Sequence, residues 1–361
     1  MSVGPADAQT TPSAMSCRFL VGRIRAVAFA VFFLLAGLSG PASAAERELR
    51  AAVFVSARVV HVRDVIAPWI AALNEALDGT AHVTLYGGGA LGRDGKLQWR
   101  LLRSGVSDIT WLPVGYEAGR FPATEIFELP LLSDDPLRLT RAAWRLYERG
   151  ELPGFEEVKV LALSVSPAYG VHLAFPLDSM ADLAGARIRV VNHAQAGLVR
   201  ALGAVPVAGI GANALAESLS RHLVDGALFG WHAIRPVGIE RVSETHIIEP
   251  IGFALSAIVM NRDSFAALPS HARAAIEGLS GEPLSVAFTA RLVAEAEAAR
   301  ARVAAAGHRL YRPGPQEAAR VRAYFAAYGR AWRARDPERR RIHDALARML
   351  RSLQEERAGD G

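Results

Sequence analysis

Two arginines stand one residue apart in Gly185-Ala-Arg187-Ile-Arg189-Val-Val191, and Val224-Asp225-Gly226 follows at a fixed distance. The run predicts a strand with Ile188 and Val190 on one side and Arg187, Arg189 and Val191 on the other. A guanidinium on a buried strand requires an anionic partner, because an unpaired charge withdrawn from water is costly. That partner is either another residue of the chain or a ligand carboxylate. A planar fork of N–H donors grips a carboxylate at two points and stays charged when desolvated. Aromatic residues accompany it. Trp111 ends the strand Ser107-Asp-Ile-Thr-Trp111, where a side chain either lines a cleft or packs between domains. Phe229 and Trp231 follow Val224-Asp-Gly226 and form either an apolar wall over a ligand or ordinary core.

Other chemistries lack their residues. Gly87-Gly-Gly-Ala-Leu-Gly92 matches GxGxxG, but no hydrophobic strand ending in an acid follows about 20 residues on, so it reads as a Gly-rich turn rather than a dinucleotide site. The ten histidines are scattered without HExxH or comparable spacing, and Cys17 is the only cysteine, so neither a metal nor a cofactor is expected. No GxSxG elbow occurs. The glutamates of 125–128 read as an acid pair in a loop. Net charge is +5, yet basic residues are spread among acidic ones and Lys96 and Lys159 are the only lysines. A nucleic-acid partner therefore has no footprint.

The elements that must position these groups alternate between β-rich runs and helical patterns, the signature of an α/β fold. Strands are expected at Leu49–Val55, His82–Tyr86, Asp108–Leu112, Val158–Val165, Ala186–Val191, Val205–Val207 and Leu255–Asn261. Helices are expected over 64–77, 95–103, 198–202, 212–221, 270–279, 283–306, 315–334 and 337–354, with a charged tail at 355–361. Arg18, Arg23 and Arg25 precede the apolar stretch Ala26–Leu38, and Ala42-Ser-Ala44 gives a small-x-small cleavage site. Residues 1–44 read as a cleaved secretory signal peptide, with Met15 an alternative start. The apolar stretch is short of the roughly 20 residues that span a bilayer.

The ordered segments resemble the periplasmic solute-binding proteins of tripartite ATP-independent periplasmic (TRAP) transporters, of the C4-dicarboxylate-binding (DctP) type. Leu85-Tyr-Gly-Gly-Gly-Ala-Leu-Gly92, Leu102-Arg-Ser-Gly-Val-Ser-Asp-Ile109, Phe127-Glu-Leu-Pro-Leu131 and Met180-Ala-Asp-Leu-Ala-Gly-Ala-Arg-Ile-Arg-Val190 carry the likeness. Leu202-Gly-Ala-Val-Pro206, Val224-Asp-Gly226 and Phe265-Ala-Ala-Leu-Pro269 complete the order. The resemblance implies a two-domain periplasmic-binding-protein fold with a cleft between domains and a long bracing helix. It puts 45–166 and 255–294 in one domain, and 167–254 and 295–354 in the other. It places Arg189 on the ligand carboxylate and Asn192 and Phe229 at the cleft.

Many members carry a second cation about twenty positions before the key Arg; here Tyr169 stands there, which points to a monocarboxylate with an apolar or aromatic remainder. The resemblance further implies an exported periplasmic monomer that closes on a small organic acid and delivers it to small and large membrane permease subunits. The alternative is a secreted α/β enzyme, a hydrolase or lyase, acting on a small organic acid in the same cleft.

Overall fold

The computed structural model describes residues 46–359 except 118, 131 and 132, together with Met1 and Gly4. The expected signal peptide, 1–44, lies almost wholly outside the described residues. Two sheets organise the remainder. The first is built from β1 (Arg47–Ala52), β2 (Ala81–Tyr86), β3 (Ile109–Pro113), β4 (Val158–Val165) and β10 (Leu255–Asn261), in the order β2-β1-β3-β10-β4. β1 runs parallel to β2 and β3, while β10 is antiparallel to β3 and β4. The second contains β5 (Tyr169–Leu173), β6 (Arg187–Arg189), β7 (Val205–Val207), β8 (Gly226–Gly230), β9 (Thr245–Ile247) and β11 (Arg309–Tyr311), in the order β11-β9-β5-β8-β6-β7. The chain passes from one lobe to the other after β4 and returns before β10, so neither sheet is continuous in sequence.

Among the described residues ten α-helices accompany these sheets. α1 (Ala67–Leu77) ends where Asp78 turns left-handed at φ 43°. α2 is Gln98–Arg103, and α3 (Pro136–Glu148) starts on Asp135, whose carboxylate accepts from the N–H groups of Leu137 and Arg138. α4 (His193–Ala201) and α5 (Leu215–Ser220) flank the second sheet; α6 (Arg262–Ala266) and α7 (Ser270–Gly278) follow β10. α8 (Glu282–Ala305) is the long brace. Its Leu284, Phe288 and Leu292 join the core of β1, β2 and β10, whereas Ala296, Ala299 and Val303 join that of Val224, Ala227 and Trp231.

Some expectations require correction. α3 and β5, β8, β9 and β11 were not among the expected elements, although Leu139, Ala142, Ala143 and Leu146 give α3 a buried face at helical spacing. α9 (Pro315–Ala334) buries Val321 and Phe325 against the second lobe, but its Trp332 enters the first. α10 (Pro337–Gly359) was placed in the second domain; its Ile342, Leu346, Met349 and Leu353 pack instead with Leu139, Phe127 and Trp144 of the first. Its apolar stripe fits the face that α3 leaves open, and Arg145 fastens the two helices through Glu356 at 2.8 Å. Residues 355–359, expected as a tail, are the last turns of this helix.

Candidate ligand-binding cleft

The two arginines of the opening strand have separate fates. Arg187, exposed at the start of β6, donates to Asp225 from Nε at 3.0 Å and from Nη2 at 2.7 Å. Asp225 also accepts the Arg187 backbone N–H at 2.8 Å; its pKa is lowered chiefly by the side-chain hydrogen bond from Arg187, with this backbone bond adding to it. Arg189, two residues further along the same strand, is 1% exposed. Its Nε donates to the Ile210 carbonyl at 3.0 Å and its guanidinium sits 5.4 Å from the Phe229 ring centroid. Among the described residues no carboxylate stands within salt-bridge distance of Arg189. A charge this deeply buried, oriented by a carbonyl yet unneutralised, is arranged for an anion from outside.

Arg189 lines a cavity between the lobes, enclosing roughly 870 Å³ of empty space with its open mouth included. Trp111, Tyr169 and Phe229 line it as well. Phe54 and Trp111 stack at 5.4 Å and 12°, and Tyr116 lies beyond Phe54 at 6.0 Å. From the opposite lobe Tyr169 and Phe229 face each other at 6.5 Å. Burial raises the Tyr169 phenol pKa, with Tyr116 and Glu128 adding to the effect, so it remains a hydroxyl and supplies no charge. Pro113, at the end of β3, contributes more apolar surface.

Two expected site residues lie elsewhere. Trp231 is 1% exposed and turns into the second lobe, where it packs edge-on to His172 at 4.8 Å and under Arg300 at 5.2 Å. It opens the short helical turn that follows β8 and joins the second-lobe core with Leu215, Val224 and Ile234. Asn192 is outside the lining: its Oδ1 caps α4 by accepting from Gln195 N–H at 3.0 Å, and its Nδ2 donates to Glu128 Oε2 at 2.6 Å.

Several lining residues escaped the sequence reading. The pair Glu125 and Glu128 divides as the arginines do. Glu125 accepts from the Trp332 indole at 2.9 Å and pairs with Arg339 at 3.1 Å, whereas Glu128 is buried in the cavity wall. Desolvation pushes the Glu128 carboxyl up to about 7, opposed by the Asn192 hydrogen bond and assisted by Glu125. Gly115 leaves room for this pair: a Cβ there would collide with Glu128 Oε1 and come within 2.7 Å of Asn192 Nδ2, so those side chains would have to shift. His61 lies 4.3 Å from Trp111, and its pKa is lowered to about 3 by burial and by His232, itself lowered to about 4 by burial. Both imidazoles are therefore neutral. The one signal that pointed to this group was position: Phe54 and Tyr116 lie just beyond the carboxyl ends of β1 and β3, where open α/β sheets place their ligands.

The arrangement is a receptor for a small anion, with one buried cation, aromatic faces from both lobes and neutral polar groups. A family model for bacterial extracellular solute-binding proteins, family 7, matches residues 52–334. The chain belongs to that family, whose members act outside the cytoplasm as the carboxylate receptors of TRAP transporters. It is thus a TRAP-type solute-binding protein and not the hydrolase or lyase of the alternative reading. Among solved structures, a TRAP solute-binding protein from Rhodoferax ferrireducens T118 in complex with copurified benzoate is 25% identical, with a TM-score of 0.79 over 85% of this chain and 98% of its own. A marine metagenome TRAP solute-binding protein specific for aromatic acid ligands, holding 3-hydroxybenzoate, shares the fold at 21% identity, with a TM-score of 0.80 over 85% of this chain and 98% of its own. The transporter protein TsaT of Comamonas testosteroni, described as an outer membrane protein, is 27% identical over 226 residues. That match covers 60% of this chain and 65% of the relative, so the chain spans less than two thirds of the curated protein. Among the described residues no helix is long and apolar enough to cross a membrane.

Proposed function

We propose that this receptor captures an organic monocarboxylate with an apolar or aromatic body and releases it to the membrane permease of a TRAP transporter. The observation that carries the reading is Arg189, buried without a carboxylate partner beside Phe229. The ligand carboxylate takes the guanidinium fork, and the ring or branched remainder lies between Phe54 and Trp111 on one side and Tyr169 and Phe229 on the other. Among the described residues Arg189 is the only Arg or Lys lining this cavity. A second carboxylate would face Tyr169 and the acidic Glu128, at a desolvation cost of several kcal/mol.

Benzoate with the Rhodoferax receptor is consistent with this choice. In the same reading residues 1–44 are removed on export, the protein works as a periplasmic monomer, and 45–166 with 255–294 hinges against 167–254. Calorimetry with benzoate, mandelate and a branched 2-oxo acid, against succinate and malate, tests the ligand class. Monocarboxylates should bind and C4-dicarboxylates should not; the reverse order would overturn it.

A further inference from the structure

Four ring nitrogens at this cavity are buried without a hydrogen-bond partner: Nδ1 and Nε2 of His61, Nε1 of Trp111 and Nδ1 of His232. His61 is 3% exposed, so solvent at the cleft mouth does not serve it. The three side chains come from different segments and from both lobes, yet line one cavity. Buried polar atoms are almost always paired, and one left unpaired carries a desolvation penalty. Several such atoms together mark a place where a bound molecule completes the set.

Their chemistry is specific. A neutral imidazole offers one N–H and one lone pair, while an indole offers an N–H alone. Together they suit a group that both gives and takes a hydrogen bond, which a hydroxyl does and a carboxylate does not. Resting on the reading of Arg189 as the carboxylate clamp, we propose that His61, Trp111 and His232 form a second, neutral polar subsite. It selects aromatic monocarboxylates bearing a hydroxyl away from the carboxylate. The low pKa values of His61 and His232 support neutrality, because protonating either to hold a second anion works against their burial.

The test compares isosteres. Affinities are measured by calorimetry for benzoate, the three hydroxybenzoates and the matching methylbenzoates, on wild type, His61→Phe and His61→Gln. At one ring position the hydroxyl compound should bind the wild type at least about tenfold tighter than its methyl isostere, since a site built to hydrogen-bond a hydroxyl rejects an analogue lacking it. His61→Phe should remove the preference, read as the ratio of hydroxyl to methyl affinity within each protein, and His61→Gln should restore part of it. Equal wild-type affinity for hydroxyl and methyl isosteres at every position overturns the subsite while leaving the carboxylate clamp intact. A preference that survives His61→Phe overturns it as well. Failure of every benzoate to bind overturns both the subsite and the monocarboxylate reading. The wild-type comparison needs no variant to fold.

Discussion

Asn192 Nδ2 donates to Glu128 Oε2 at 2.6 Å, tying the cap of α4 in the second lobe to the Pro122–Glu128 turn of the first. One amide thus performs two tasks: its oxygen starts a helix and its nitrogen bridges the cleft.

Asn192→Ala removes both at once. Loss of the cap and of the partner of a buried carboxyl should cost ~2–4 kcal/mol in a urea titration. Asn192→Asp retains the cap but sets a second carboxylate against Glu128. It should match the Ala variant at pH 8 and recover toward wild type at pH 5, where Glu128 holds its proton. Equal loss at both pH values would defeat this account of the bridge.

Glu128 should impose a pH dependence opposite to that of most acids. Desolvation pushes its carboxyl up to about 7 in the fold, from an ordinary value of 4.5. The unfolded chain therefore binds fewer protons between those values, and folding is penalised fully above about 7 and not at all below about 4.5. The groups around it are Asn192, which opposes the shift, Glu125 on the same turn, Tyr169 and Tyr328, of which Glu125 pushes in the same direction. Glu128→Gln should stabilise the protein at pH 8 by up to ~3 kcal/mol, and the gain should vanish near pH 4.5. A pH-independent difference in melting between the two proteins would count against a buried, titrating Glu128.

Arg189→Ala leaves a ligand carboxylate buried without its counterion. The expected loss is ~3–5 kcal/mol, or roughly two to three and a half decades in Kd. Arg189→Lys should recover little, because an ammonium cannot reproduce the two-point grip. Near-native affinity in the Ala variant, with unfolding curves showing it folded, would remove Arg189 from the site.

Behind the Phe229 wall runs a file of histidines. His172 Nε2 lies 3.2 Å from the Phe229 carbonyl, His172 Nδ1 lies 2.8 Å from His246 Nδ1, and His246 Nε2 lies 3.0 Å from His308 Nδ1. The carbonyl accepts only, so His172 donates from Nε2 and accepts at Nδ1, and each further tautomer follows. Burial lowers His172 to about 4 and His246 to about 2. Below about 6.5 the unfolded chain binds protons that the folded one refuses, so stability should fall as pH drops from 6.5 to 4. His172 alone accounts for up to ~3 kcal/mol of this. Urea midpoints that stay level across that range in the Glu128→Gln background would contradict the neutral file; that background removes the opposing slope of the acid.

Legibility followed locality. Arg189 was readable because strand period, burial and the family motif agree within seven residues. Strand period alone does not say which of the two arginines is free, since Asp225 reaches Arg187 from another strand end; the family motif alone points to Arg189. Trp231 misled for a related reason: the short helical turn after β8, not the strand period, decides where this large ring packs. His61, Glu128 and His232 come from three separate segments, and no local pattern distinguishes a core histidine from one lining a cavity. α3 was legible and overlooked, while β9 and β11 are three-residue strands whose pairing supplies all their definition. α10 looked like a second-domain helix because it ends the chain, but its apolar stripe decides the matter.

α8 belongs to two cores at once, its first half sealed among the residues of β1 and β10 and its second among those of α5 and β8. Melting either lobe strips one half of this helix of its packing, and an isolated helix of this length has little persistence of its own in water. Damage to one lobe is therefore transmitted to the other along a shared rod. Heat should dismantle the receptor in a single calorimetric transition, and a destabilising substitution at Phe288 should lower the melting point of both lobes together.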